Sequence, residues 1–236
     1  MTRRSTVSHK PRDSRKHDGS NLRNRLPKST RTASKLGKRA RGTGLNNHSA
    51  YEPPEDWHAP SDDVEDSTDY RIVVQDAGPG YSHVVTEKQI RKRLAQLPDS
   101  MLYPLHTIQL SRMTRKKRSF PCYGMQWGAT LYLYPIETGL VEYFNRPPQP
   151  AEYNEARQFG GKWVQHSSSL WTLVWNEASI RNFYLNNILI HELGHLLDDR
   201  NTSYRDRERY AEWFAIEHGL RPSKRQRGAR RRSGRS

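Results

Sequence analysis

The sequence predicts an α+β domain carried between charged tails. Two observations point to the fold class. Short β-branched and aromatic runs bounded by Gly and Pro cluster between residues 71 and 175, and apolar residues at helical spacing take over from 177 onward. A third, the uneven distribution of charge, sets the limits of the domain. The chain has 236 residues and a formal net charge of +15. Residues 1–50 hold 14 Lys/Arg against 2 Asp/Glu, residues 51–70 hold 8 acids and no Lys or Arg, and residues 221–236 hold 8 Lys/Arg and no acid. The stretch 71–220 is close to balanced, with 18 basic and 15 acidic side chains.

Segments this polar cannot bury enough surface to offset their ordering entropy. Residues 1–66 are therefore expected to form a disordered basic, then acidic, tail. Residues 67–220 form one domain of ordinary size, and 221–236 a second disordered basic tail. No apolar run approaches the ~18–20 residues that span a bilayer, and no apolar stretch follows Arg3-Arg4, so neither a secretory nor a twin-arginine signal is expected. Cys122 stands alone, which rules out an internal disulfide and a Cys-rich zinc ribbon. These features suit the cytoplasm, although a chain exported by a dedicated machine would have the same composition.

Taken in order, Arg71–Gln75 reads as a strand closed by the turn Asp76-Ala77-Gly78-Pro79-Gly80. Thr86 reads as the N-cap of a helix with Ile90, Leu94 and Leu97 on one face, stopped at Pro98. His106–Leu110 is a second strand and the basic stretch Arg112–Arg118 a solvated loop. Thr130–Tyr134 carries a strong strand signal ended by Pro135. Residues 145–150 form a loop. Lys162–Gln165 and Leu170–Trp175 flank a turn and make a hairpin with an aromatic face. At Asn176 the period changes. Asn176 caps a helix running from Glu177 to Asp198, roughly 30 Å long at 1.5 Å per residue, and apolar enough on several sides to be buried. Arg205–His218 is the last helix, with Gly219 as its stop and Pro222 soon after.

The long helix carries His191-Glu192-Leu193-Gly194-His195. On a helix the two imidazoles, four residues apart, share a face and can bind one metal ion, while Glu192 can reach a water on that ion. Buried His and Glu need partners, and Gly194, a poor helix former, suits a close approach by another backbone. Zn2+ is therefore the expected cofactor. The favoured third ligand is Glu208, in Glu208-Arg209-Tyr210-Ala211-Glu212-Trp213-Phe214-Ala215. There Glu208, Ala211, Glu212 and Ala215 share one face, and the small Ala residues let it approach the His helix. Glu212 would accept a hydrogen bond from a ligand imidazole. Asp198 and Asp199 compete as ligands. Asp198 fits better as an outer partner or a helix-end feature, because one straight helix rarely supplies three ligands around an open site. A layout with a third ligand just after a Gly turn is not met, since the position six after His195 is Asn201.

His-Glu-Leu-Gly-His-Leu-Leu-Asp followed by Glu-x-x-Ala-Glu-x-Phe resembles the catalytic domain of anthrax lethal factor and the Pro-Pro endopeptidases, zinc peptidases of the gluzincin division. The resemblance covers residues 191–215. It implies a zincin-like domain, a small mixed sheet packed on an active-site helix and a C-terminal helix. It also implies that His191, His195 and Glu208 bind zinc, that Glu192 activates water, and that an edge strand holds the substrate, with Thr130–Tyr134 the candidate. This chain departs from the pattern in two ways. The gap between its motifs is shorter, and the Tyr that relatives place about two turns before the Glu ligand is replaced by Asn201. Tyr204, four residues before Glu208, is nominated as the oxyanion donor in its place.

The expected function is a zinc-dependent metalloendopeptidase that hydrolyses peptide bonds through a Glu-activated zinc-bound water, acting on a protein or peptide. The intact Glu192 argues against a purely structural zinc site. A nucleophilic role for Cys122 has no local signature, and a buried structural thiol is expected. The alternative from another class is nucleic-acid binding through the basic tails, non-specific and salt-sensitive, which is compatible with a protease recruited to nucleic acid. No membrane partner is expected.

Overall fold

Strand-forming segments fill the first two-thirds of the domain and a pair of long helices closes it. The computed structural model describes residues 69–119 and 122–226. The reading of 1–66 as a disordered tail falls outside them, as does 227–236 of the tail read over 221–236, whose first residues, 221–226, are helical instead. The chain enters β1 (Arg71–Val74), turns through Gly78 and Gly80, both at positive φ, into β2 (Tyr81–Ser82), and passes to α1 (Glu87–Leu94). Thr86 caps α1 reciprocally: its Oγ1 accepts from the Gln89 N–H, and Gln89 Oε1 accepts from the Thr86 N–H. Next come β3 (Thr107–Leu110), the short helix α2 (Arg115–Ser119), the hairpin β4 (Gly124–Trp127) and β5 (Thr130–Leu133), then β6 (Ile136–Glu137) and β7 (Val141–Phe144). Helix α3 (Pro150–Phe159) leads to the hairpin β8 (Lys162–Ser167) and β9 (Leu170–Val174).

The long helix forms from Asn176 as the sequence predicts, with Asn176 Oδ1 accepting from the Ser179 N–H. It runs as α4 (Glu177–Phe183), a π-helical segment (Tyr184–Ile188) and α5 (Leu189–Leu197). The last helix starts at Ser203, whose hydroxyl accepts from the Asp206 N–H, and runs as α6 (Tyr204–Phe214) into a second π segment (Ala215–Leu220).

A mixed four-stranded sheet in the order β1-β3-β5-β4 has β1, β3 and β5 parallel and β4 antiparallel to β5. A three-stranded antiparallel sheet runs β7-β9-β8, and β2 pairs with β6. The fold is α+β. Helix α5 packs on β4 and β5, and α6 packs on α5. The core beneath the long helix is aromatic. Phe183 stacks on Trp175 at 4.9 Å and meets Tyr123 and Phe159 edge-on at 5.1 and 5.5 Å. The Tyr184 hydroxyl, in the same core, donates to the Tyr134 carbonyl at 2.8 Å.

Three expectations are corrected, and one helix lies where the sequence reading assigned nothing. The basic stretch Arg112–Arg118 is not all loop: Thr114 caps α2 through its hydroxyl, and Lys117 is buried against the Tyr134 ring, its ammonium 4.1 Å from the centroid and 3.6 Å from Cys122 Sγ. Helix α3 occupies a stretch that carries no periodic apolar signal. Thr130–Leu133 is an interior strand, buried along its whole length, and β4 takes the edge position beside it. Gly219 does not stop the last helix, which continues through residue 226 and buries Ser223.

The last correction has a physical cause. Pro222 has no N–H for the His218 carbonyl four residues back. The buried Arg93 guanidinium, reaching over from α1, donates to that carbonyl and also to Asn186 Oδ1. Gly219 meanwhile lies against the Asn186 backbone, where an added Cβ would stand 2.0 Å from the carbonyl oxygen. The two π segments thus meet at Asn186 and Gly219 and share Arg93 as a donor, while burial without an acid lowers the pKa of Arg93 to about 10.

Candidate metal centre

His191 and His195 lie one turn apart on α5, and Glu208 approaches from α6. Among the described residues these three form the one group of His, Cys, Asp or Glu side chains arranged to hold a metal ion. The two helices can come this close because Gly194 faces Ala211: a Cβ on Gly194 would sit 3.0 Å from Ala211 Cα and 3.1 Å from Phe214 Cβ. The small residues read from the sequence therefore mark the contact that brings Glu208 to the histidines.

The donor spacing fits a metal. The two Nε2 atoms are 3.1 Å apart, Glu208 Oε1 is 3.5 Å from His195 Nε2, and Glu208 Oε2 is 3.7 Å from His191 Nε2. Ligands about 2.0–2.1 Å from a tetrahedral zinc ion would be about 3.3–3.4 Å apart. Glu208 Oε2 is buried with no hydrogen-bond partner. An orphaned carboxylate oxygen facing two imidazoles is costly unless a cation joins them. Two nitrogens and one oxygen, with no thiolate, are a donor set that a divalent metal such as zinc accepts.

The electrostatics follow from burial and proximity. Desolvation, with the charge of His191 next, lowers the pKa of His195 to about 4. His191 is desolvated too, but its contact with Glu208 and the charges of Glu192, Glu208 and Glu155 outweigh that and raise its pKa. Desolvation pushes Glu208 upward, but the two imidazoles and a hydrogen bond from Tyr204 more than reverse it, so Glu208 titrates below the usual range.

The remaining expected residues are placed as follows. Glu192 is buried beside the edge strand, with its Cγ and Oε1 2.8 Å from where a Cβ on Gly124 would be. At Gly124 the β4 backbone thus lies where a side chain would collide with the carboxylate. Tyr204, at the start of α6, lies at the site and bonds Glu208. Asp198 ends α5. Its Oδ1 accepts from the Asn201 N–H and side-chain amide, and its Oδ2 is buried with no partner. Glu212 is an exposed residue one turn beyond Glu208. Its charge acts on His191, but no hydrogen bond joins the two, and His191 Nδ1 is buried without a partner.

Two neighbours are absent from the sequence reading. Arg207 donates from Nη2 to the His195 carbonyl at 3.2 Å and closes the end of α5. Glu155, from α3, accepts a hydrogen bond from Asn187, one turn before His191. Desolvation is the largest influence on Glu155 and raises its pKa to about 8. Nothing in the local sequence separates Glu155 from Glu152, which is paired with Arg146 at 2.7 Å.

Comparison of the chain with protein-family models, with curated proteins and with solved structures finds no match. No helix among the described residues is long and apolar enough to cross a membrane.

Proposed function

We propose that this chain is a zinc-dependent metalloendopeptidase with a zincin-like domain, in which His191, His195 and Glu208 hold the metal. The observation that carries the reading is the position of Glu192. Its carboxylate is buried between the ligand-bearing helix and the edge strand β4, against a glycine. A site that only held a metal for stability would need a fourth protein ligand and would have no use for a carboxylate in that position.

Zinc bound at this site would supply Lewis acidity, which polarises a carbonyl and makes a water easier to deprotonate. Glu192 takes a proton from the attacking water and delivers it to the leaving amine. Among the described residues no strand pairs with the outer edge of β4, so an extended peptide can add to the sheet there and bring its scissile carbonyl past Gly124 toward Glu192. Tyr204 is the proposed oxyanion donor, turning from Glu208 toward the carbonyl oxygen.

Glu192→Gln tests the reading. The variant is expected to bind one zinc per chain and to lose peptide cleavage by about 10²–10⁴-fold, the usual contribution of a general base. Mapping of new protein N-termini in cells carrying wild type or the Gln variant would supply the substrates. A Gln variant that cleaves at the wild-type rate, or a full-length chain that takes up no zinc, would refute the proposal.

A further inference from the structure

We propose that Glu155 is the positioning residue of the metal centre, its carboxylate accepting the Nδ1–H of His191 once Nε2 is committed to the metal. The inference rests on the metallopeptidase reading and assigns a residue that the motif leaves out.

The geometry begins at His191. Its Nε2 faces His195 and Glu208, so a metal there would take that nitrogen and leave the proton on Nδ1. This Nδ1 is buried with no hydrogen-bond partner. A metal-bound imidazole ordinarily donates its other N–H to a carboxylate, carbonyl or water, which fixes the ring and raises its basicity. The carboxylates whose charges act on His191 are Glu192, Glu208, Glu155 and Glu212. Glu208 is a ligand on the Nε2 side, and Glu192 is packed toward β4.

Of the remaining two, Glu155 is the one held in place. Asn187 Nδ2 donates to its Oε1, and Asn187 lies four residues before His191, where the π segment passes into α5, so the bond holds the Glu155 carboxylate at the turn that leads into His191. Helix α3 therefore brings a fixed carboxylate to the turn before His191, near enough for the charges of the two to act on each other. Glu212 is an exposed residue, and among the described residues no hydrogen bond fixes it. Charge supports the same choice. Among the described residues no Lys or Arg pairs with Glu155, unlike its neighbour Glu152 with Arg146, and the one cationic group that offsets its burial is His191. A divalent ion held by one carboxylate leaves a single positive charge, and an ionised Glu155 cancels it.

The test compares full-length wild type, Glu155→Gln, Glu155→Asp and Glu212→Gln by zinc affinity in chelator competition, by the visible spectrum of the cobalt-substituted protein, and by unfolding of the metal-free chain. The Gln side chain keeps the size and the Asn187 contact but not the charge. It is expected to weaken zinc binding about 10–100-fold, to shift the cobalt bands, and to leave the metal-free protein at least as stable as wild type. Asp should restore part of the affinity, and Glu212→Gln should lose less than Glu155→Gln. A carboxylate that served only the Asn187 contact, which Gln preserves, would leave both metal-free stability and zinc affinity unchanged in Glu155→Gln, which would overturn the proposal. So would a Glu212→Gln loss larger than that of Glu155→Gln. If wild type binds zinc and cleaves peptide while Glu155→Gln binds zinc equally well, this inference fails and the enzyme reading stands. Absence of zinc binding by wild type would remove both.

Discussion

Gly194→Ala measures how far the contact between α5 and α6 controls the metal centre. The new Cβ would lie 3.0 Å from Ala211 Cα and 3.1 and 3.3 Å from Phe214 Cβ and Cγ. Carbon atoms pack without strain at about 3.5–4.0 Å, so the helices must separate by about 0.5 Å or more. Ala211 Cα is backbone and cannot rotate aside, so α6 moves as a unit and takes Glu208, one turn away, with it. The Glu208 oxygens already stand 3.5 and 3.7 Å from the imidazole nitrogens, and the shift carries them further from the ~3.3–3.4 Å spacing of a tetrahedral site.

Stability is a weaker reporter of the same change, because two effects oppose each other. Ala is favoured over Gly within a helix by about 1 kcal/mol, while overpacking a tight contact costs about 1–3 kcal/mol. The metal-free variant should therefore lose between about 0 and 2 kcal/mol by urea unfolding, and zinc affinity by chelator competition should fall by at least about tenfold, or ~1.4 kcal/mol. A variant that is about 1 kcal/mol more stable and binds zinc as tightly as wild type would refute the argument, because the added methyl would then have found room without moving Glu208.

Three further predictions follow from the same geometry. Zinc affinity should fall as pH drops below about 8, because Glu155 holds its proton up to about 8 and acidic neighbours hold a proton on His191 above the ordinary His range, whereas His195, at about 4, competes only in strong acid; affinity that stays constant between pH 8 and 6 would contradict this. Gly219→Ala should destabilise the chain by roughly 3 kcal/mol or more in urea unfolding, since its Cβ would lie 2.0 Å from the Asn186 carbonyl oxygen and backbone must give way. Tyr204→Phe should lower kcat by about 10²–10³ with zinc affinity within a few-fold of wild type if the hydroxyl serves the oxyanion; a large loss of zinc affinity with proportionate loss of activity would show that it serves only to hold Glu208.

The parts of the site that were legible in the sequence are those set by local rules. The i, i+4 spacing of His191 and His195 needs only a helix, and Asn176 and a run of apolar residues specify that helix. Glu208 was legible because Gly194 and Ala211 are small where the two helices touch. Residues whose partners lie far away were not. Glu155 meets Asn187 32 positions later, on a helix whose polar sequence gives little periodicity. Strand propensity cannot distinguish β5 from β4 as the edge, because a strong strand signal suits an interior position as well as an exposed one. Gly219 and Pro222 read as a stop because punctuation rules consider only neighbours, whereas the carbonyl that Pro222 leaves unpaired is satisfied by Arg93, 125 residues from His218.

That long-range bond bears on the metal centre as well as on the helix end. A π segment places one extra residue in a turn, and one residue rotates the face of all that follow by about 100°. The first π segment ends at Ile188, three residues before His191. The direction in which His191 and His195 point therefore depends on that wide turn persisting. A π turn has poorer intrinsic stability than an α turn, so something outside the helix must hold it. Asn186 in the first π segment and His218 in the second are both bonded by Arg93, and Gly219 lets the Asn186 carbonyl approach. Replacing Arg93 with Met would leave the part-buried His218 carbonyl and Asn186 amide oxygen without this donor, at up to about 1–3 kcal/mol each. If the wide turn relaxes in response, zinc affinity must fall together with stability, although Arg93 touches no ligand. Loss of stability with unchanged zinc affinity would mean that the turn is held by the aromatic core around Phe183 and Tyr184 alone.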